Sequence, residues 1–266
     1  MSAELQDLPL LRDRVAIVTG SAQGIGEGIA TTLGRFGAQV VIADLDEARA
    51  HDTAARLVGG GIRAIGVGHD VTSTESSDAL AAHVRAELGR IDVLVNNAGL
   101  SGRTPLAEMS DRAWDAMVAV NLTGVQRTTR AVVRVMEEQG SGSIISVSSV
   151  AGRQGKANMT HYSATKFAVI GFTQALALEL GPTGIRVNAV CPGMVRTAMW
   201  EAELAEISEA QGISTEEAWQ GVLDQIPLGR PQTPEDIGTA AAFLASPLAR
   251  NITGQALNVC GGFALD

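Results

Sequence analysis

Cysteine is almost missing from this chain. Its two copies, Cys191 and Cys260, fall in or at the end of apolar runs that read as buried strands. A thiol packs there as a small hydrophobe, so no disulfide framework is expected. Positive charge is also short: 20 lysines and arginines face 29 aspartates and glutamates, for a net charge of -9. A surface of that sign repels phosphate backbones and no basic run offsets it locally, which argues against nucleic-acid binding. No stretch reaches the eighteen or so apolar residues that a spanning helix needs. The opening 1–13 mixes acidic and apolar side chains without the basic-then-apolar order of a secretory signal. A cytoplasmic protein with no membrane partner is expected. Paired Cys-x-x-Cys and His-Glu-x-x-His ligand sets are absent too, so no catalytic metal is expected. Aromatic residues make up 3% of the chain, with a single tyrosine, Tyr162.

What the sequence has in quantity is apolar material, 45% of 266 residues, and 30 glycines. That suits a packed core with many tight turns. Short apolar runs ending in Gly, Asn, Asp or Ser recur at 15–19, 39–43, 63–67, 92–95, 142–147, 186–190 and 256–259. Between them lie segments with helical spacing at 25–36, 47–58, 74–88, 111–138, 162–180 and 234–245. The alternation predicts a doubly wound α/β fold of Rossmann type: a seven-stranded parallel sheet covered by helices on both faces. No linker divides the chain, so 1–266 reads as one domain. The Glu-rich segment 194–226, with Trp200 and Trp219, breaks the alternation and reads as a helical lid over a substrate.

The first strand runs directly into Thr19-Gly20-Ser21-Ala22-Gln23-Gly24-Ile25-Gly26, where the next helical pattern begins. Glycines let the backbone turn sharply and let a pyrophosphate approach the helix N-terminus, whose free N–H groups and partial positive charge favour an anion. The second strand ends at Asp44, about twenty residues on, where a carboxylate can hold the adenosine ribose hydroxyls. Asp44 also acts as a gate. A 2′-phosphate about 4 Å away would feel roughly 4 kcal/mol of repulsion per unit charge at an effective dielectric near 20. Neither Gln23 nor Leu45 offers a compensating cation, so NAD is expected rather than NADP.

Tyr162 and Lys166 stand four residues apart in a helical segment and therefore share a face. With Thr19 to Gly26, Asp70, Asn96-Asn97-Ala98-Gly99, Asn121, Ser148-Ser149, Tyr162-Ser163-Ala164-Thr165-Lys166 and Pro192-Gly193, they stand in an order and spacing that resembles the short-chain dehydrogenase/reductase family over nearly the whole chain. That resemblance implies hydride transfer between NAD(H) and a secondary alcohol or ketone. Tyr162 is then the proton donor or acceptor, Lys166 holds the nicotinamide ribose beneath it, Ser149 orients the substrate oxygen, and Asn121 holds a water in the proton relay. A backbone-bonded, purely structural amide is the other reading of Asn121. A lone phenol titrates near pH 10, and making it a base near neutrality takes roughly 4 kcal/mol. One ammonium at about 4 to 5 Å supplies roughly that amount.

By the same resemblance the cofactor is lined by Gly20, Ser21, Gln23, Gly24, Ile25, Gly26, Asp44 and Leu45. Further on, Asp70 and Val71 meet the adenine, and Asn97, Ala98 and Gly99 let the ribose lie close. Pro192, Gly193, Val195 and Thr197 turn against the carboxamide. His69 and His161 receive no chemical task. Cys260 departs from the family, which commonly has an aspartate before these glycines. The lid opening, from Cys191 to Trp200, is similar to that of acetoin reductases (butanediol dehydrogenases) and polyol dehydrogenases, so a small diol, acyloin or polyol is the expected substrate. Alternatives are a 3-oxoacyl carrier-protein reductase, a dehydrogenase of an anionic hydroxy compound read by Arg103, Arg153 or Lys156, and a non-catalytic NAD-binding sensor. A homotetramer joined through the 162–180 helix and the C-terminal strand is the assembly that the family implies.

Overall fold

The computed structural model describes residues 10–195, 204–205, 208–209 and 212–265. Strands β1 (Val15–Thr19), β2 (Gln39–Asp44), β3 (Ala64–Gly68), β4 (Val93–Asn96), β5 (Gly142–Val147), β6 (Ile185–Pro192) and β7 (Ala256–Val259) form one sheet in the order β3-β2-β1-β4-β5-β6-β7. All six pairings are parallel. The four strands β1, β2, β4 and β5 are apolar and buried almost end to end, as a sheet covered on both faces requires.

Two apolar cores lie on opposite faces. One joins the sheet to α1 (Gly24–Arg35), α2 (Glu47–Gly59) and α8 (Pro234–Ala245), through Ile29, Leu33, Leu57, Ile237 and Leu244. The other joins it to α3 (Thr74–Leu88), α5 (Gly124–Gln139) and α6 (Thr160–Leu180), through Leu80, Val84, Val132, Met136 and Leu180. The chain starts at β1, winds to β3, then returns to β4 on the other side of β1. Where the winding reverses, connections leave β1 and β4 toward opposite faces and open a crevice at the carboxyl edge of the sheet.

The sequence pattern 111–138 predicts one helix, and the backbone divides it. Regular α4 (Asp111–Val118) passes into a π-helical turn (Ala119–Thr123) before α5 begins. Such a turn admits one extra residue per turn and is not visible in apolar periodicity; it often marks a functional site. Here it carries Asn121.

Of the proposed lid, α7 (Thr215–Leu223) is described, opened by a reciprocal capping box between Ser214 and Glu217. Leu204, Ala218, Trp219 and Val222 form a small core of their own, against which Met194, Ile213 and Leu223 pack. Arg196, Thr197 and Trp200 lie outside the described residues. Among the described residues, no helix is long and apolar enough to cross a membrane.

Candidate active site

The glycine-rich turn between β1 and α1 leaves the start of α1 without a side-chain cap. Gln23 stands at the N-cap of α1 without a side-chain capping bond, its Oε1 accepting instead from Arg49 Nη1 at 2.8 Å, whereas Asp46, Ser73 and Ser110 cap α2, α3 and α4. Gly24 has φ +61, and a Cβ added there would meet nothing within 4 Å, so the turn is open toward solvent. Gly26 is closed instead: a Cβ would sit 2.3 Å from the Gly20 carbonyl and 2.5 Å from the Asn97 amide nitrogen. An uncapped helix start beneath a turn left open at Gly24 fits a pyrophosphate.

Asn97 does more than leave room for a ribose. Its Nδ2 donates to the carbonyls of Thr19 and Gly20, both at 2.9 Å, and the Thr19 hydroxyl accepts from the N–H groups of Asn97 (3.0 Å) and Ala98 (3.1 Å). The ends of β1 and β4 are thereby clamped together across the crevice. Sequence reasoning missed Thr19; a hydroxyl closing a strand beside the glycines was the only signal. The Asp44 carboxylate sits at the rim and accepts from the N–H groups of Ala22 (2.9 Å) and Asp46 (3.2 Å). Leu45 beside it is 77% exposed, so no cation covers this position from the adjoining residue.

Asp70 accepts from both the backbone and the hydroxyl of Thr72 (2.8 and 2.7 Å), which holds its carboxyl below the usual range. Val71 packs on the first residue of α5: a Cβ at Gly124 would come within 2.9 Å of it. His69 is buried beside Ser77, and burial pushes it down to about 4, so it is a neutral packing residue. His161 is likewise buried, with its pKa lowered by desolvation.

On the opposite wall, β5 ends at Val147 and α6 brings Lys166 beneath that end. The Lys166 Nζ donates to the Val147 carbonyl at 2.9 Å and lies 5.6 Å from the centroid of the Tyr162 ring. The lysine is 5% exposed, and loss of water lowers its pKa from 10.5 to about 8. Gly99 completes the wall: a Cβ there would lie 3.6 Å from Lys166 Nζ and 3.3 Å from Asn121 Oδ1. The absent side chain lets the loop after β4 lie on the lysine.

Asn121 uses its amide on that same loop. Oδ1 accepts from Leu100 N–H at 2.7 Å and Nδ2 donates to Leu100 O at 2.9 Å, with Thr165 Oγ1 at 3.4 Å. This is the backbone-bonded arrangement, and it ties the π-turn to the loop over Lys166. Ser148 and Ser149 divide as alternation along an extended chain requires. The Ser148 hydroxyl turns inward and donates to Lys166 O at 2.8 Å. Ser149, in extended conformation at φ -170, caps the short 3-10 turn Val150–Gly152 by accepting from Ala151 N–H at 3.1 Å.

At the end of β6, Pro192 is buried and paired with Val259, and Val195 bridges Gln232. Gly193 lies against Gln232 and Cys260, where a Cβ would fall 2.6 and 2.8 Å from them. Cys260 itself is buried. Its thiol donates to Ala264 O (3.3 Å) and accepts from Ala264 N–H (3.4 Å), closing the C-terminal turn. Two of the cations considered for an anionic substrate have other partners. Arg153 reaches Asn258 and Ala256, and Lys156 lies 4.7 Å over the Phe263 ring. Among the described residues no His, Cys, Asp or Glu group has a metal-binding arrangement.

A phosphate-binding turn at the switch point, facing a buried lysine, a tyrosine and a serine across one crevice, defines a nicotinamide-dependent oxidoreductase. The profile described as enoyl-(acyl carrier protein) reductase matches residues 20–264. The chain belongs to the short-chain dehydrogenase/reductase family. It is 41% identical to an L-2,3-butanediol dehydrogenase of Corynebacterium glutamicum, covering 94% of this chain and 98% of the relative. It is 40% identical to a galactitol 2-dehydrogenase of Agrobacterium fabrum, covering 95% and 98%. A solved actinorhodin polyketide ketoreductase variant with NADPH superposes at a TM-score of 0.90 with 43% identity, covering 94% of this chain and 97% of that one.

Proposed function

We propose that this chain transfers hydride between NAD(H) and a secondary alcohol or ketone, with a small diol, acyloin or polyol as its substrate. The observation that carries the reading is the buried Lys166 ammonium 5.6 Å from the Tyr162 ring, roofed by Gly99. A bound nicotinamide would supply the hydride donor or acceptor. Residues of the Gly20–Gly26 turn would take its pyrophosphate, and Asp44 the adenosine ribose. Pro192, Gly193 and Val195 would face the carboxamide.

In the reducing direction the Tyr162 hydroxyl gives its proton to the substrate oxygen while the Ser149 hydroxyl orients that oxygen. Lys166 favours the phenolate that remains, through a charge held close in a poorly solvated wall. Asn121 keeps the Leu100 loop seated beside the lysine. The butanediol and galactitol dehydrogenases support the polyol reading, because both names describe vicinal hydroxyl compounds. Arg153 and Lys156, bonded elsewhere, support a neutral substrate over an anionic one.

A second reading, reduction of a 3-oxoacyl group on a carrier protein with NADPH, is favoured by the 43% identity to the polyketide ketoreductase. The test is turnover of butane-2,3-diol, acetoin, galactitol and a 3-oxoacyl thioester with each coenzyme. Preference for NADH with acetoin or a diol is expected. NADPH preference with the thioester alone would establish the second reading. Tyr162→Phe is expected to lose turnover at least a thousandfold; equal inertness of wild type and variant, with NAD bound, would leave a sensor.

A further inference from the structure

The side chain of Arg153 has no part in the proton transfer, and no carboxylate pairs with it among the described residues. Its backbone follows the turn that Ser149 caps, with Arg153 N–H donating to Val150 O at 3.0 Å. The guanidinium then crosses β6 to the edge strand β7. There Nε donates to Asn258 Oδ1 at 3.2 Å, and Nη2 donates to the Ala256 carbonyl. Along the way it bears on the thiol of Cys191, the β6 residue that also neighbours Ser148 and Ser149. Asn258 continues the chain of bonds, donating to Ala264 O at 3.2 Å, the carbonyl that Cys260 also holds.

Ser149 needs such a support. Regular pairing of β5 with β6 ends at Val147 with Val190, and Ser148 N–H makes one more bond to Val190 O at 2.8 Å. Beyond it the chain leaves the sheet. The turn is held on one side by Gly152, wedged where a Cβ would lie 2.6 Å from Ser148 Oγ and 2.8 Å from Lys166 O. On the other side the two-pronged Arg153 contact fastens it. A planar guanidinium with two donors engaged at once fixes orientation as well as distance.

We propose that Arg153 is a positioning residue for Ser149, locking the turn that carries the hydroxyl to the C-terminal strand. The proposal rests on Ser149 as the group that orients the substrate oxygen. Misplacement of a reacting group by about 1 Å can cost up to a hundredfold in rate, so Arg153→Gln is expected to lower kcat about tenfold, with the KM for the coenzyme within twofold of wild type. Arg153→Lys, keeping one prong, should recover part of the loss.

The experiment is a cycle of Arg153→Gln and Ser149→Ala in the full chain, assayed with NADH and acetoin or, if faster, ethyl acetoacetate. Hydrogen exchange over 149–153 is followed alongside. Faster exchange in Arg153→Gln, and no more than a twofold further loss when it is added to Ser149→Ala, are expected. Wild-type kcat in Arg153→Gln, unchanged exchange, or a tenfold loss that persists in the Ser149→Ala background would overturn the positioning role. Full activity of Ser149→Ala alone would overturn the role of Ser149 itself. If Arg153→Gln does not fold, Asn258→Ala removes the Nε acceptor and carries the same expectations.

Discussion

At the scale of single residues, Lys166 shows how stability and chemistry pull apart. Its folded pKa is depressed by burial, so between about 8 and the ordinary lysine value of 10.5 the folded protein binds fewer protons than the unfolded chain. Stability therefore rises with pH across that window, and below pH 8 the whole cost of burying the ammonium is present. That cost is on the order of 3 kcal/mol, reduced by the bond to Val147. Lys166→Met is expected to raise the melting temperature at pH 7 by several degrees, at roughly 2 to 4 °C per kcal/mol, while abolishing turnover. Calorimetry showing a lower melting temperature would contradict this. In the wild type, ketone reduction should fall as pH rises through about 8, because the charge beside Tyr162 is then lost. Asp44 governs the coenzyme. Asp44→Ser should shift the NADPH-to-NADH ratio of kcat/KM upward at least tenfold, measured by steady-state kinetics, since the carboxylate no longer opposes a 2′-phosphate.

Elements meet where side chains are missing. Gly28 of α1 faces Pro234 at the start of α8, and a Cβ would fall 2.2 Å from the proline ring; Gly238 of α8 faces Thr32 in the same contact. Gly28→Ala should destabilise by about 1 to 3 kcal/mol through overpacking. Gly59→Ala, in open space at the end of α2, should be neutral or slightly stabilising. Urea denaturation of both variants checks the contrast, and equal midpoints would refute it. The strands and most helices were legible in the sequence because their apolar periods are local: 15–19, 142–147, 74–88 and 234–245 match the observed limits. The π-turn at Ala119–Thr123 was not, since it depends on α4 and α5 packing around Asn121 and Leu100 rather than on any nearby pattern.

For the whole molecule, α6 carries the question of assembly. Val169, Thr173 and Ala177 bury one face against the sheet, yet Phe167 and Leu178 on the other are 46% and 83% exposed. A helix apolar on both faces calls for a partner. We expect a homotetramer in which α6 meets its symmetry mate, and Leu178→Arg should lower the mass found by light scattering to that of a smaller species. A wild-type monomer would exclude this assembly. The amino-acid sequence by itself determined the strand-helix alternation, the glycine-rich turn, Asp44, and the Tyr162 and Lys166 pair, because each shows as a spacing along the chain that needs no knowledge of which distant segments meet. Tertiary structure alone decided the Asn97 clamp on Thr19 and Gly20, the Leu100 seat of Asn121, and the reach of Arg153 to β7. Those contacts join residues from 21 to 105 positions apart. Their partners become neighbours only after the sheet has wound in both directions from β1 and brought distant strand ends to one edge.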